Sequence, residues 1–285
     1  MNLRILILFA CAVGLLPAET PSEAAFALYK AKQYPDARAA YAKIIAGDSR
    51  NAEAHYYLGM IAKRRSENDE AITQLEQATA LAPTNSEYFL DLGDAYGTAA
   101  GKAGLFSQLS LARKCQAALE KSVQLDPNNL QARNGLVTYY RQAPSFVGGG
   151  MSKAYEQAAE IKKRDPVMGA HVYGALYVAD KKYDDAFAVY EKLLETHPDN
   201  YLALYSIGRT AAEFDLKLDR GEQALRRCLE LTPGKGEPSH AAVQWRLGIL
   251  AEKRGDKSAA HAAYEASLKL DPGFKQAGDS LAKLK

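Results

Sequence analysis

The sequence predicts an all-α protein built as a solenoid of stacked helix–turn–helix repeats. Three observations predict it. Small residues and prolines return as landmarks at a spacing of about 34 residues. Within each half of that period, apolar residues recur at helical spacing. Finally, 47% of the 285 residues are hydrophobic and 25% are charged, a folded-protein composition that argues against disorder.

The amino terminus reads as a secretory signal peptide over residues 1–18. Arg4 supplies a small positive region, Ile5 to Leu16 an apolar run, and Pro17 and Ala18 break it before polar Glu19, Thr20 and Ser22. The run is too short for a comfortable spanning helix of about twenty residues. Cleavage is expected after Ala18. Leu8-Phe9-Ala10-Cys11 offers a rival reading, because it resembles a bacterial lipoprotein box in which Cys11 would be acylated. Phe9 is bulky for that motif, and the apolar run continues past Cys11.

The clearest repeat spans 52–85. Tyr57, Leu58 and Ile61 mark one helix, and Ala71, Leu75 and Ala78 a second. Gly59 and Ala71 are small where two helices must pass closely. Pro83 stops the second helix, since it lacks an N–H and restricts its predecessor. The pattern returns at Leu92-Gly93 with Tyr96, and at Gly174 with Tyr177, Ala186, Tyr190 and Pro198. It returns again at Ile207-Gly208, and at Leu247-Gly248 with Ala260, Tyr264 and Pro272. A weaker first copy has Ala25, Leu28, Ala37 and Tyr41. A degenerate one has Leu136, Tyr140, Ala154 and Pro166, with Val137 in place of the glycine.

This pattern resembles the tetratricopeptide repeat (TPR), and the resemblance covers nearly all of the chain after the leader. It implies a right-handed superhelical TPR solenoid over 19–274, of about seven helix–turn–helix units near 18–51, 52–85, 86–129, 130–166, 167–200, 201–240 and 241–274. Residues 275–285 are expected to form an amphipathic capping helix that turns Lys275, Gln276, Asp279 and Lys283 outward. One helical pair cannot bury its apolar face alone, whereas stacked neighbours share a continuous core.

Three repeats depart from the spacing. The third carries about ten extra residues within 98–111, where Leu105, Phe106, Leu109 and Leu111 predict a second helix that starts early and projects. Local packing and a partner-binding rim are both open for it. The fourth carries Pro144 to Gly150, three glycines before Ser152, which reads as an N-cap. That stretch is a connector or a cradle for an anion or peptide terminus. No Gly-Lys-Ser/Thr follows, which excludes a nucleotide P-loop. The sixth is expected to have a lengthened turn through Asp215 to Arg220, and a Gly-Pro loop at Pro233 to Pro238.

Catalytic and metal chemistry find little footing. The five histidines (His55, His171, His197, His240 and His261) form no metal-spacing pair, and no hydrolase elbow, metalloprotease or Rossmann motif is present. Lys and Arg number 36 against 34 Asp and Glu, spread along the chain, so a concentrated basic stripe for nucleic acid is missing. Cys115 stands at a small position of its second helix and Cys228 at a large apolar one. Both read as buried core thiols, too far apart to bridge.

The TPR resemblance implies that first helices line a concave groove that holds an extended peptide or helix. The residues it places there are Tyr56, Met60, Lys63 and Arg64, then Asn134, Arg141, His171, Tyr205, Arg209 and Trp245. Aromatic and Arg side chains are common anchors, and the basic groups suit a carboxylate or acidic segment. Tyr56 and Met60 stand where the chaperone-binding subfamily has clamp residues, so that activity is not supported.

The expectation is therefore a non-catalytic protein–protein interaction scaffold or adaptor of the bacterial cell envelope, exported and periplasmic, with no cofactor or metal. It would take a protein or peptide partner and no nucleic acid, with membrane contact only if lipidated at Cys11 as an anchored lipoprotein. The alternatives are a self-assembling structural protein and a substrate-presenting accessory of an envelope enzyme.

Overall fold

A computed structural model of the chain describes residues 20–284. The leader read over 1–18, with Cys11, lies outside the described residues. The fold is all-α and is built from paired antiparallel helices, in two compact parts that meet in sequence at 125/126.

The N-terminal part holds three pairs: α1 Pro21–Lys30 with α2 Tyr34–Gly47, α3 Ala52–Arg64 with α4 Asn68–Leu81, and α5 Ser86–Ala100 with α6 Leu105–Leu125. Its second pair shows why these residues form these elements. The Asn51 side chain accepts from the Ala54 N–H at 2.9 Å and so satisfies one of the orphan donors of α3. Glu53 lies in the first turn of α3, and Lys63 and Arg64 in its last, which suits the helix dipole. Ala54, Leu58, Ile61 and Ala62 face inward from α3, and Ala71, Leu75 and Ala78 from α4. The α4 helix ends at Leu81, ahead of Pro83. Outside the core, the Arg38 guanidinium of α2 donates to both Glu70 oxygens of α4, at 2.9 and 2.7 Å.

The C-terminal part holds four pairs and a last helix: α7 Leu130–Gln142 with α8 Met151–Arg164, α9 Pro166–Ala179 with α10 Tyr183–Thr196, α11 Tyr201–Phe214 with α12 Leu218–Glu230, α13 His240–Lys253 with α14 Lys257–Leu270, and α15 Lys275–Lys283. Its core centres on Ile207, Ala211, Ala224, Leu225, Cys228, Val243 and Leu250. Cys228, and Cys115 in the N-terminal part, are both free and buried. Burial pushes the Cys115 thiol up to about 11 and the Cys228 thiol up to about 12.

Within a pair, the closest approach is set by a small residue of the first helix against a large one of the second. A Cβ added to Gly208 would fall 2.2 Å from Leu225 Cγ, which is inside contact distance. Gly59 meets Leu75, Gly93 Leu119, Gly174 Tyr190 and Gly248 Tyr264 in the same register. In the degenerate repeat the sizes exchange. Val137 takes the glycine's place, while Ala158 takes the place that Leu75 holds, and both are buried.

Two sequence expectations are corrected. Ser152 does not cap α8; the cap is Gly150, and Ser152 lies inside the helix. The turn after α11 does not run to Arg220, because α12 already begins at Leu218. The surplus residue is absorbed by two left-handed positions, Asp215 (φ 59°) and Lys217 (φ 47°). The Gly-Pro loop between α12 and α13 is tied back to the start of α11, with Tyr201 Oη donating to the Pro238 carbonyl at 2.8 Å.

Regular turns between paired helices place a left-handed residue at a fixed point: Lys32, Ser66 and Lys181, and also Gly255. Only glycine adopts that conformation without steric cost. Ser66→Gly is therefore expected to stabilise the N-terminal part by about 0.5–1 kcal/mol, read as a raised denaturation midpoint at unchanged m value.

Candidate functional site

In the C-terminal part, three of the residues singled out from sequence come together. Asn134 and Arg141 on α7 and Arg209 on α11 line one trough of about 310 Å3. Its other walls are Val137 and Thr138 of α7 and Val172, Ala175, Leu176, Val178 and Ala179 of α9. Asn134, Thr138 and Arg141 stand at i, i+4 and i+7, which puts them on one face of α7. Among the described residues, neither Arg141 nor Arg209 has a carboxylate or hydrogen-bond partner. The trough thus combines an apolar strip with two uncommitted guanidinium groups.

His171 sits half-buried on α9, with its ring centroid 6.1 Å from that of Tyr190. Its Nδ1 is buried without a hydrogen-bond partner. Burial lowers its pKa below the ordinary value of 6.5, against the opposing influence of Asn200, Glu237 and Asp165.

The remaining residues singled out from sequence are committed elsewhere. Tyr205 is only 8% exposed and belongs to the core of the C-terminal part, so it offers a partner almost no surface. Trp245 donates from Nε1 to Ser280 Oγ at 3.1 Å, and its ring lies 5.9 Å from that of Phe274. It therefore holds α15 against α13, where an open anchor was expected. Arg246 adds a cation over the same ring, at 4.4 Å.

In the N-terminal part, Tyr56 stacks on Tyr88 at 4.3 Å and donates to Asp91 Oδ2 at 2.7 Å. Burial, reinforced by Asp91, pushes its phenol well above the ordinary range. The Lys63 ammonium reaches Asp91 at 3.0 Å and Asp94 at 2.7 Å. Burial works to lower its pKa, but the two aspartates hold it above the ordinary value. Arg64 lies over the rings of Tyr29 and Tyr34 at 5.7 and 5.1 Å. Tyr56 and Lys63 close a network with Asp91 and Asp94, whose carboxylates cancel the Lys63 charge, whereas Arg64 is held by Tyr29 and Tyr34 and meets no carboxylate among the described residues.

The glycine stretch of the fourth repeat is a connector and not an anion cradle. The N–H groups of Gly148, Gly149 and Gly150 donate to the carbonyls of Ser145, Pro144 and Tyr140 at 2.9, 3.1 and 2.7 Å, so none is free for an anion. A Cβ on Gly149 would fall 1.8 Å from the Ala143 carbonyl oxygen, which is why glycine stands there. The sequence reading missed Thr138, Ala175, Val178 and Ala179. Their signal was available, since they share helical faces with Asn134, Arg141 and His171.

Among the described residues, no group of His, Cys, Asp and Glu is placed to hold a metal, and no helix is long and apolar enough to cross a membrane. The arrangement is that of a helical-repeat binding scaffold. More than half of the chain, residues 23–86, 174–234 and 215–273, matches the tetratricopeptide repeat family, and the chain belongs to that family. The fold class is in general non-catalytic, and the protein is assigned as a non-enzyme on that basis.

Over 122 residues the chain is 30% identical to the CTR9 homolog of Arabidopsis thaliana, covering 42% of this chain and 10% of that protein. Over 234 residues it is 26% identical to cellulose synthase operon protein C of Pseudomonas fluorescens, covering 80% of this chain and 15% of that protein. It thus spans a small fraction of the length of either relative. A tetratricopeptide repeat protein from Parabacteroides merdae has a similar fold, with a TM-score of 0.67 at 14% identity over 93% of this chain and 96% of that one.

The depressed pKa of His171 has a consequence for stability. As pH falls through 6.5, the unfolded chain takes up a proton that the folded chain resists, so folded stability drops in that window. His171→Gln is expected to lose less stability than the parent between pH 7.5 and 5.5, measured by urea denaturation at each pH.

Proposed function

We propose that the chain is a protein-interaction scaffold of the cell envelope whose trough between α7, α9 and α11 holds an extended segment of a partner. A tetratricopeptide array supports a protein- or peptide-binding role in general. The single observation that carries the finer reading is that Arg141 and Arg209, both without a carboxylate or hydrogen-bond partner among the described residues, line one trough with the accessible apolar strip of Ala175, Val178 and Ala179. A guanidinium recognises a carboxylate by a fork of parallel N–H bonds. The strip takes an apolar side chain of the same segment. A carboxylate-bearing segment with an adjacent apolar residue fits both. The Arg4-to-Ala18 leader pattern supports export, and an intact mass beginning at Glu19 would mark its removal.

A photo-crosslinking residue at Thr138, on the trough wall, should trap the partner in native envelopes. Arg141→Glu with Arg209→Glu should cut the adduct about tenfold or more, because the charge pairs are replaced by repulsion. An adduct of undiminished yield would remove the trough from the binding site.

A further inference from the structure

The α6 helix has 21 residues, whereas the other second helices have 13 or 14. Its pairing with α5 explains only the later part. Leu119 packs at Gly93, and Cys115 lies 3.4 Å from a Cβ placed on Gly97. One more turn toward the α6 amino terminus reaches the end of α5 at Ala100. The turns before that have no α5 residue opposite them. They carry Phe106, 89% exposed, and Leu105, 67% exposed. Large apolar groups presented this way mark an interaction site.

The residues that form the tip carry charge of one sign. From Ala95 to Leu119 the sequence contains no Asp or Glu, while it contains Lys102, Arg113 and Lys114. Lys114 is paired with Glu76 at 3.1 Å. Lys102 and Arg113 are exposed and, among the described residues, have no partner. Between them lie Ser107, Gln108 and Ser110, all neutral and exposed.

We propose that this tip docks on an anionic lipid surface, with Phe106 and Leu105 entering the interfacial layer and Lys102 and Arg113 meeting lipid phosphates. The bilayer interface is apolar below and negatively charged above, and Arg113, at i+7 from Phe106, stands on the same face of α6 two turns behind it. A stable protein interface would bury roughly 800 Å2 on each side, more than two protruding side chains provide. Two apolar chains and two cations give a weak, reversible association. Such contact needs no acyl chain at Cys11, in contrast to the expectation from sequence. It rests on residues of the N-terminal part alone and shares none with the trough.

The test uses the full chain with vesicles of phosphatidylglycerol and phosphatidylcholine, or of phosphatidylcholine alone. In Phe106→Trp, the added indole emission is expected to be quenched by brominated acyl chains on the anionic vesicles, and less so as salt rises. The parent chain on the same vesicles gives the Trp245 background, and phosphatidylcholine vesicles give the contribution of the apolar stretch at 5–16, which is uncharged and so does not depend on anionic lipid. Leu105→Ser with Phe106→Ser should weaken anionic-vesicle binding about tenfold or more at unchanged helicity, and Lys102→Glu with Arg113→Glu should weaken it as well. An unquenched indole on anionic vesicles would overturn the proposal. So would concentration-dependent self-association that the Ser double variant abolishes, which would make a second copy the occupant.

Discussion

The close approach of two helices within each repeat is the constraint on which the rest depends. Helix axes come near enough to share a dry interface only where one side chain is nearly absent and the opposite one fills the space. Gly208 against Leu225 is the tightest example with a leucine, and Gly174 against Tyr190 shows that an aromatic ring serves equally. The Val137–Ala158 repeat reverses the sizes at the same register, so the rule concerns summed volume more than residue identity. Once each pair is fixed in this way, the first helices turn their other faces outward, and the trough lined by α7, α9 and α11 follows.

Charge then decides what each surface is able to do. In the N-terminal part, Lys63 is answered by Asp91 and Asp94 of the neighbouring helix, and Arg64 is spread over the rings of Tyr29 and Tyr34. In the C-terminal part, no carboxylate among the described residues answers Arg141 or Arg209, and the proposed binding role of the trough rests on that difference. Exposed ion pairs contribute little to stability, so leaving two arginines unpaired costs the fold little.

The paired-helix architecture was legible because its landmarks are local: a glycine, a small residue one helix later, and a proline at a fixed spacing. The early start of α6 at Leu105 was legible for the same reason, since Gly101 and Gly104 mark its turn. What escaped the sequence reading depends on partners far along the chain. Trp245 stands at a position that would face open space in a middle repeat, but in the last repeat α15 covers it through Ser280 and Phe274. Tyr205 is buried because the core of the C-terminal part closes around α11. The capping role of Gly150 in place of Ser152 follows from Pro144 and Tyr140, whose carbonyls draw the glycine stretch back onto α7.

A double-mutant cycle across one helix pair tests the volume rule most directly. Gly208→Val and Leu225→Ala should each destabilise the C-terminal part by about 2 kcal/mol or more, the first by overpacking and the second by leaving a cavity. Combined, they reproduce the arrangement that Val137 and Ala158 already use, and the double variant should recover about 2 kcal/mol relative to the sum. Strictly additive losses would show that the glycine and the leucine act independently, and would contradict the account.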